Sequence, residues 1–323
     1  MGQAADDKKV GFIGLGNVGA KLAGSLLRNG VDLTIRDLDR AAAAPLLEKG
    51  AKWADSPKQM AEGCDILITC LPSPAISASV MEDEDGLLAG FSAGKIWAEM
   101  STTDETEIHR LAEKLAALGG AAVDCPVSGG CHRAATGNIS IFAGCDRPTF
   151  DVMLPHLTKM GRRILHTGAL GSATILKVVT NYLATANLVS LAEALSACKA
   201  ANMDLKTSYE AIRISSGNSF VHETESQVIL NGSRDINFTM DLVLKDVSLF
   251  YDVAQRAGLT LELAPLLKQI FADGIEQFGP REFSPNIIRR IEQPHGLDVT
   301  ADGFPAEITD DEPEVEGYEI KLR

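Results

Sequence analysis

Val10-Gly11-Phe12-Ile13-Gly14-Leu15-Gly16-Asn17-Val18-Gly19 decides the fold. A short apolar strand runs into Gly-x-Gly-x-x-Gly at Gly14, Gly16 and Gly19. A helical pattern follows from Ala20 to Arg28, and a second apolar run, Val31 to Ile35, ends at Asp37. Each glycine has its own task. Gly14 permits the tight turn. Gly16 lets backbone N–H groups, those of Asn17 and Val18 among them, approach a pyrophosphate. Gly19 lets the helix pack close to the strand, so that its N-terminal dipole faces the phosphates. Asp37 lies 23 positions after Gly14, where an acid accepts hydrogen bonds from an adenosine ribose 2′-OH. Strand, glycines, helix and acid together read as a dinucleotide site. A carboxylate at Asp37 repels a 2′-phosphate and favours NAD. The neighbouring Arg36 and Arg40 keep NADP open.

Outward from this unit, strands and helical segments alternate. Apolar strands read at Ile66–Cys70, Lys95–Glu99, Ala121–Asp124, Ile139–Ala143 and Arg163–His166. Helices read near 41–49 and from Thr103-Asp104 to about Leu118. This alternation predicts an α/β Rossmann domain with a doubly wound parallel sheet over residues 1–168. After Gly171 the strands stop. Thr174–Ala201 is one long apolar helix, and helices follow near 205–214, 223–230, 240–257, 264–278 and 285–291. Residues 169–292 therefore read as an all-α domain, for substrate and for dimerisation. A helix so apolar needs burial in its own domain or against a second subunit, and a homodimer or homotetramer is expected.

Residues 293–323 carry nine acids and two bases, half the formal net charge of −14. Two readings stand. One is a flexible acidic tail. The other is a strap docking on a partner subunit through Phe304, Tyr318, Ile320 and Leu322.

Composition bounds the partners. With 45% hydrophobic and 23% charged residues the chain is an ordinary globular protein. No run of 18 apolar residues predicts a membrane span, and the polar start carries no signal-peptide pattern. The acidic balance argues against nucleic acid. Six cysteines without Cys-x-x-Cys or a histidine cluster predict a reduced, cytoplasmic protein with no bound metal.

A dinucleotide site implies hydride transfer. Oxidising a hydroxyl also needs a group that exchanges its proton and donors for the oxygen. Three segments suit this. In Asp124-Cys125-Pro126-Val127-Ser128-Gly129-Gly130, the glycine pair exposes backbone N–H groups beside the Ser128 hydroxyl, a nest for a carboxylate or else a plain tight turn. Lys177 and Asn181 share a helix face at i and i+4 among apolar neighbours. A partly desolvated lysine there can act as general acid or base, and Asn181 can donate to the substrate oxygen. Alternatively Lys177 snorkels out of a core helix. Lys245-Asp246 offers a second cation and an acid to orient it, although alone it reads as a surface pair.

In this order, with Leu71-Pro72, Ser101-Thr102 and Gly168-x-x-Gly171, these segments resemble the β-hydroxyacid dehydrogenase family, which includes 3-hydroxyisobutyrate dehydrogenase and tartronate semialdehyde reductase. The resemblance covers about residues 8–292. It implies a Rossmann domain of the 6-phosphogluconate dehydrogenase kind, a helical domain, and reversible NAD(P)-linked oxidation of a small anionic 3-hydroxy acid to its semialdehyde. It makes Lys177 the catalytic lysine and Asn181 its companion. Ser128, Gly129 and Gly130 become the carboxylate-binding turn. Lys245 lines the substrate pocket and the cofactor side, Thr102 the nicotinamide end, and Leu71-Pro72 a loop over the cofactor.

The chain departs from the family pattern at Ala173, at Thr180 and in the acidic tail. Cys131-His132-Arg133 is also unusual. His132 or Arg133 can reach a distal polar or anionic group of the substrate, or both can face solvent. Two other functions compete. An NADPH-dependent imine reductase shares the plan but generally lacks the lysine. A non-catalytic dinucleotide-binding scaffold would have lost it.

Overall fold

The computed structural model describes residues 8–322. They fall into two compact units: the first runs to Lys177 and resumes at Asp310, and the second is Val178–Thr309.

The first unit is built on one sheet. Its elements are β1 (Val10–Ile13), α1 (Gly19–Arg28), β2 (Leu33–Arg36), α2 (Arg40–Leu47), β3 (Lys52–Trp53), α3 (Pro57–Gly63), β4 (Ile66–Thr69), α4 (Pro74–Glu82), α5 (Leu87–Gly90), β5 (Ile96–Glu99), α6 (Glu105–Ala117), β6 (Ala121–Asp124), β7 (Val127–Ser128), α7 (Gly130–Ala135), β8 (Ser140–Gly144), α8 (Arg147–Leu157) and β9 (Arg163–Gly168), followed by α9 (Ser172–Ala200). The strand order is β10-β9-β8-β6-β5-β4-β1-β2-β3, where β10 is Tyr318–Glu319 and β7 pairs with β8. β1 lies between β2 and β4 in parallel register, Phe12 opposite Ile35 on one side and Ile68 on the other. All four residues of β1, β4 and β5 are buried, as expected of strands covered on both faces. Helix α1 buries Leu22, Ala23 and Leu26, and α6 buries Ile108, Leu111 and Leu115, both at helical spacing. Side-chain caps start several helices: Ser56 accepts from the Gln59 amide, Asp104 from Thr106 and Asp146 from Thr149.

The sheet is not wholly parallel. β8 runs antiparallel to β6, with Asp124 opposite Gly144, and the two-residue β7 runs antiparallel to β8. The chain between β6 and β8 carries β7 and the short helix α7, and it brings β8 back antiparallel to both β6 and β7.

The second unit is helical: the rest of α9, then α10 (Leu205–Arg213), α11 (Phe220–Asn231), α12 (Met240–Arg256), α13 (Leu263–Phe278), a 3-10 turn (Ser284–Ile288) and α14 (Arg289–His295). By length and hydropathy α9 could cross a membrane. Its Leu188, Leu191 and Leu195 instead fill a core with Val221, Ile229, Met240, Val243, Leu267 and Phe271. Arg234 and Glu292, both nearly buried, form a bidentate ion pair at 2.8 Å, and Glu292 also accepts from the Val299 amide.

The acidic segment is packed rather than loose. In the second unit the Ala301 amide donates to the Leu230 carbonyl, Asn231 Nδ2 to the Phe304 carbonyl, and the Phe304 ring meets Tyr209 edge-on at 5.1 Å. In the first unit β10 pairs in parallel with β9. Among the residues expected to clasp a partner subunit, Phe304, Tyr318 and Ile320 make contacts within the chain, and Leu322 is exposed.

Candidate active site

The glycine loop closes over the C-terminal ends of β1 and β4. Gly14 has φ +98°, and a Cβ there would stand 2.2 Å from the Cys70 carbonyl oxygen. A Cβ on Gly19 would stand 2.0 Å from the Gly14 carbonyl oxygen. These two glycines are required by the protein's own backbone. Gly16 differs, since a Cβ there would meet nothing within 4 Å. Space kept open above bare backbone at a helix N-terminus fits a dinucleotide pyrophosphate, with the Asn17 and Val18 amides at the mouth of α1.

Asp37 reaches back to this loop, one carboxylate oxygen accepting from the Leu15 amide at 2.6 Å and the other from the Asp39 amide at 2.9 Å. Arg36 turns away: it donates to the Ala54 and Asp55 carbonyls. Arg40 lies over the Trp53 ring at 5.0 Å. The loop carrying Leu71-Pro72 and the one carrying Thr102 are joined, because the Leu71 amide donates to Ser101 Oγ at 2.7 Å. Ser101 in turn donates its amide and hydroxyl to Glu99, a carboxyl that is 1% exposed and whose pKa burial raises. Glu99 was not singled out in the sequence. Its only signal there is an acid closing the otherwise apolar Ile96-Trp97-Ala98 strand.

The Ser128–Gly130 turn follows β6. Gly129 and Gly130 have φ +129° and +86°, the left-handed region in which successive amides converge. The His132 ring covers this turn, since a Cβ on Gly130 would lie 2.8 Å from its Cε1. Burial, then the Arg133 charge, lowers the His132 pKa. The imidazole is therefore neutral at pH 7 and keeps one N–H to donate.

Asp124, at the end of β6, is fully buried. Its two oxygens accept from the Gly171 amide at 2.8 Å and the Thr174 amide at 2.6 Å. It thus ties the first turn of α9 to the sheet, three residues before Lys177. Lys177 is 9% exposed. Asn181 stands one turn further along α9. Within the helical unit its Nδ2 donates to Asp246 Oδ2 at 2.5 Å, while Lys245 Nζ lies 2.7 Å from Asp246 Oδ1. The buried Asp246 therefore orients both Asn181 and Lys245. A sequence reading can name Asp246 as an orienting acid, but it gives no hint that Asp124 is a helix anchor.

Residues 9–168 match the family model for the NAD binding domain of 6-phosphogluconate dehydrogenase. Residues 171–291 match the family model described as NAD-binding of NADP-dependent 3-hydroxyisobutyrate dehydrogenase. The chain is 33% identical to 2-(hydroxymethyl)glutarate dehydrogenase of Eubacterium barkeri, over 90% of this chain and 97% of that one. It is 31% identical to the NAD-dependent L-serine dehydrogenase of Pseudomonas aeruginosa, over 89% and 98%. Among solved structures, a 3-hydroxyisobutyrate dehydrogenase from Salmonella typhimurium superimposes with a TM-score of 0.81 at 27% identity, covering 88% of this chain and all of that one.

Proposed function

Because the chain belongs to the β-hydroxyacid dehydrogenase family, whose members are NAD(P)-linked oxidoreductases, we propose that it oxidises a small acid HOCH2–CH(R)–COO⁻ reversibly to the semialdehyde, with NAD as its preferred cofactor. The three relatives above share that skeleton by name and differ in R: a carboxyethyl group, an ammonium group and a methyl group. When bound, the nicotinamide accepts hydride from the carbinol carbon or returns it to the aldehyde.

The chain's own residues do the rest. Lys177 Nζ takes the hydroxyl proton during oxidation and gives it back during reduction. Asn181 holds the reacting oxygen with the N–H that Asp246 does not use. The amides of Gly129 and Gly130 and the Ser128 hydroxyl bind the carboxylate, and Lys245 adds positive charge on the substrate side. Leu71, Pro72 and Thr102 flank the nicotinamide, on loops joined through Ser101 and Glu99. His132 faces R. The NAD preference draws support from Asp37 beside the loop and from Arg36, whose guanidinium is engaged by two carbonyls.

One observation carries the proposal. Lys177 is nine-tenths buried on an apolar helix whose first turn is held by a buried carboxylate. Burying an ammonium opposes folding, and a proton-transfer group needed at one fixed point accounts for it. The test is NADH oxidation with a panel of semialdehydes OHC–CH(R)–COO⁻, NADPH in parallel, and a cyclic imine as control. Turnover of at least one semialdehyde with NADH is expected. Reduction of the imine with NADPH alone would overturn the assignment.

A further inference from the structure

The segment after residue 309 makes a dense set of contacts with one short element of the first unit. Asp310 Oδ2 accepts from Thr136 Oγ1 and from Asn138 Nδ2, the latter at 2.7 Å. The same Asn138 amide donates to the Glu312 carbonyl at 2.8 Å, and Asn138 is 1% exposed. The Glu312 carboxylate lies 3.7 Å from Arg133 and 3.8 Å from Arg162, and Arg162 also donates to the Pro313 carbonyl. Glu314 pairs with Arg28, which in turn donates to the Ala135 carbonyl at 3.0 Å. Gly137, at φ +73°, leaves no room for a Cβ against Glu314. Beyond these contacts, the Tyr318 and Ile320 amides bond to the Arg162 and Ile164 carbonyls, and Glu319 makes a two-pronged pair with Arg147. The strap is anchored to the sheet edge at one end and to Thr136, Gly137 and Asn138 at the other.

Those three residues close α7, and α7 opens at the Gly129-Gly130 turn. The helix has six residues, so its two ends are about 9 Å apart. Gly129, the N-cap residue, has no side chain with which to cap the helix. A helix this short has little stability of its own, so its geometry comes from its surroundings: the packing that buries Cys131 and Ala134, and the contacts that hold its far end. The family models stop at residue 291. The strap lies wholly beyond them.

We propose that Asp310, with Glu312, is a positioning residue for the substrate-carboxylate turn. The strap fixes the far end of α7, and so sets the direction of the Gly129 and Gly130 amides and of the His132 ring above them. This rests on the reading of Ser128–Gly130 as the carboxylate site. The strap meets α1 at Arg28, the end about 15 Å of helix away from Gly19, so it sets substrate affinity rather than cofactor affinity.

The experiment compares Asp310→Ala, Asp310→Asn and Ser128→Ala in the full chain. Steady-state KM and kcat for a semialdehyde, NADH affinity by fluorescence, and amide hydrogen exchange over residues 129–138 are read for each. Asp310→Ala removes a charged acceptor shared by two donors, so KM should rise about tenfold while kcat changes less than about threefold. NADH affinity should stay unchanged and exchange over 129–138 should quicken. Asp310→Asn keeps an acceptor oxygen and should recover most of the KM, which a purely charge-based or unfolding effect would not. If Ser128→Ala raises KM and both Asp310 variants leave it alone, the strap is not a positioning element. A loss of NADH affinity in parallel with KM also overturns it. If Ser128→Ala itself leaves KM unchanged, the carboxylate-site reading falls and the proposal falls with it.

Discussion

The three glycines of the loop look alike in sequence and differ in what the structure asks of them. Gly14 and Gly19 face backbone carbonyl oxygens that a methyl group would strike, whereas Gly16 faces open space. Gly14→Ala or Gly19→Ala should therefore lower stability by about 1–3 kcal/mol, as overpacking does, seen as an earlier thermal midpoint. Gly16→Ala should melt with the native protein and bind NADH at least tenfold more weakly. Equal melting for all three would show that the loop spacing has been misread. Asp124 gives a pH prediction. Burial first, opposed by its hydrogen bonds to Thr174 and Gly171, raises its pKa from the ordinary 3.8 to about 6. Between those values the folded chain holds the proton and an unfolded chain has released it. The unfolded state thus binds fewer protons, and this group makes stability fall as pH rises from about 4 to about 6, then level off. Asp124→Asn should remove that slope in urea titrations across this window, and an unaltered slope would refute the assignment. The chemistry at this scale was partly legible. Lys177 stands out as a charge amid apolar residues, Asp37 by its spacing from Gly14, and Asp246 only as part of the family resemblance. Asp124 and Glu99 close apolar strands and do not, because their partners, the Thr174 amide and Ser101, are recognised only once the strands are aligned.

At the scale of elements, length decided what the sequence shows. The four-residue apolar strands and the long helices α9, α12 and α13 carry enough period to be read. β3, β7, α7 and β10 have two to six residues each and no period of their own. Their form comes from neighbours: Arg40 stacked on Trp53, β8 beside β7, the strap behind α7. The ion pairs differ in the same way. Arg234 and Glu292 are both below 10% exposure and tie the loop between α11 and α12 to α14. Glu292→Ala should cost about 3–5 kcal/mol because it strands a buried guanidinium. Arg110 holds Glu82 through two hydrogen bonds and, with Lys114, brings that carboxyl down to about 2. That pair is solvent-exposed, so Arg110→Ala should cost less than about 1 kcal/mol. Urea midpoints would rank the two variants, and a larger loss at Arg110 would contradict this ordering.

For the whole molecule, the order of strands then helices, and the family it implies, was legible from the glycine loop and Lys177 outward. The acidic segment was not. Counted as charge it resembles a solvated tail. Three of its nine acids, Glu312, Glu314 and Glu319, pair with Arg28, Arg133, Arg147 and Arg162, which lie far from it in sequence. Leu176 and Leu183, seven positions apart on α9, are exposed apolar residues on one face. They suit contact with a second copy of the chain, and light scattering should return at least a dimer mass. A monomer at micromolar concentration would contradict that expectation. The central claim is that Lys177 moves the proton that accompanies hydride transfer. The most direct measurement is turnover of the best semialdehyde by Lys177→Ala beside a fluorescence titration of the same variant with NADH. General acid–base groups contribute about 10²–10⁴ in rate, so turnover should fall at least a hundredfold with NADH affinity preserved. A variant that binds NADH and turns over within tenfold of the native rate would show that the proton is moved by some other group.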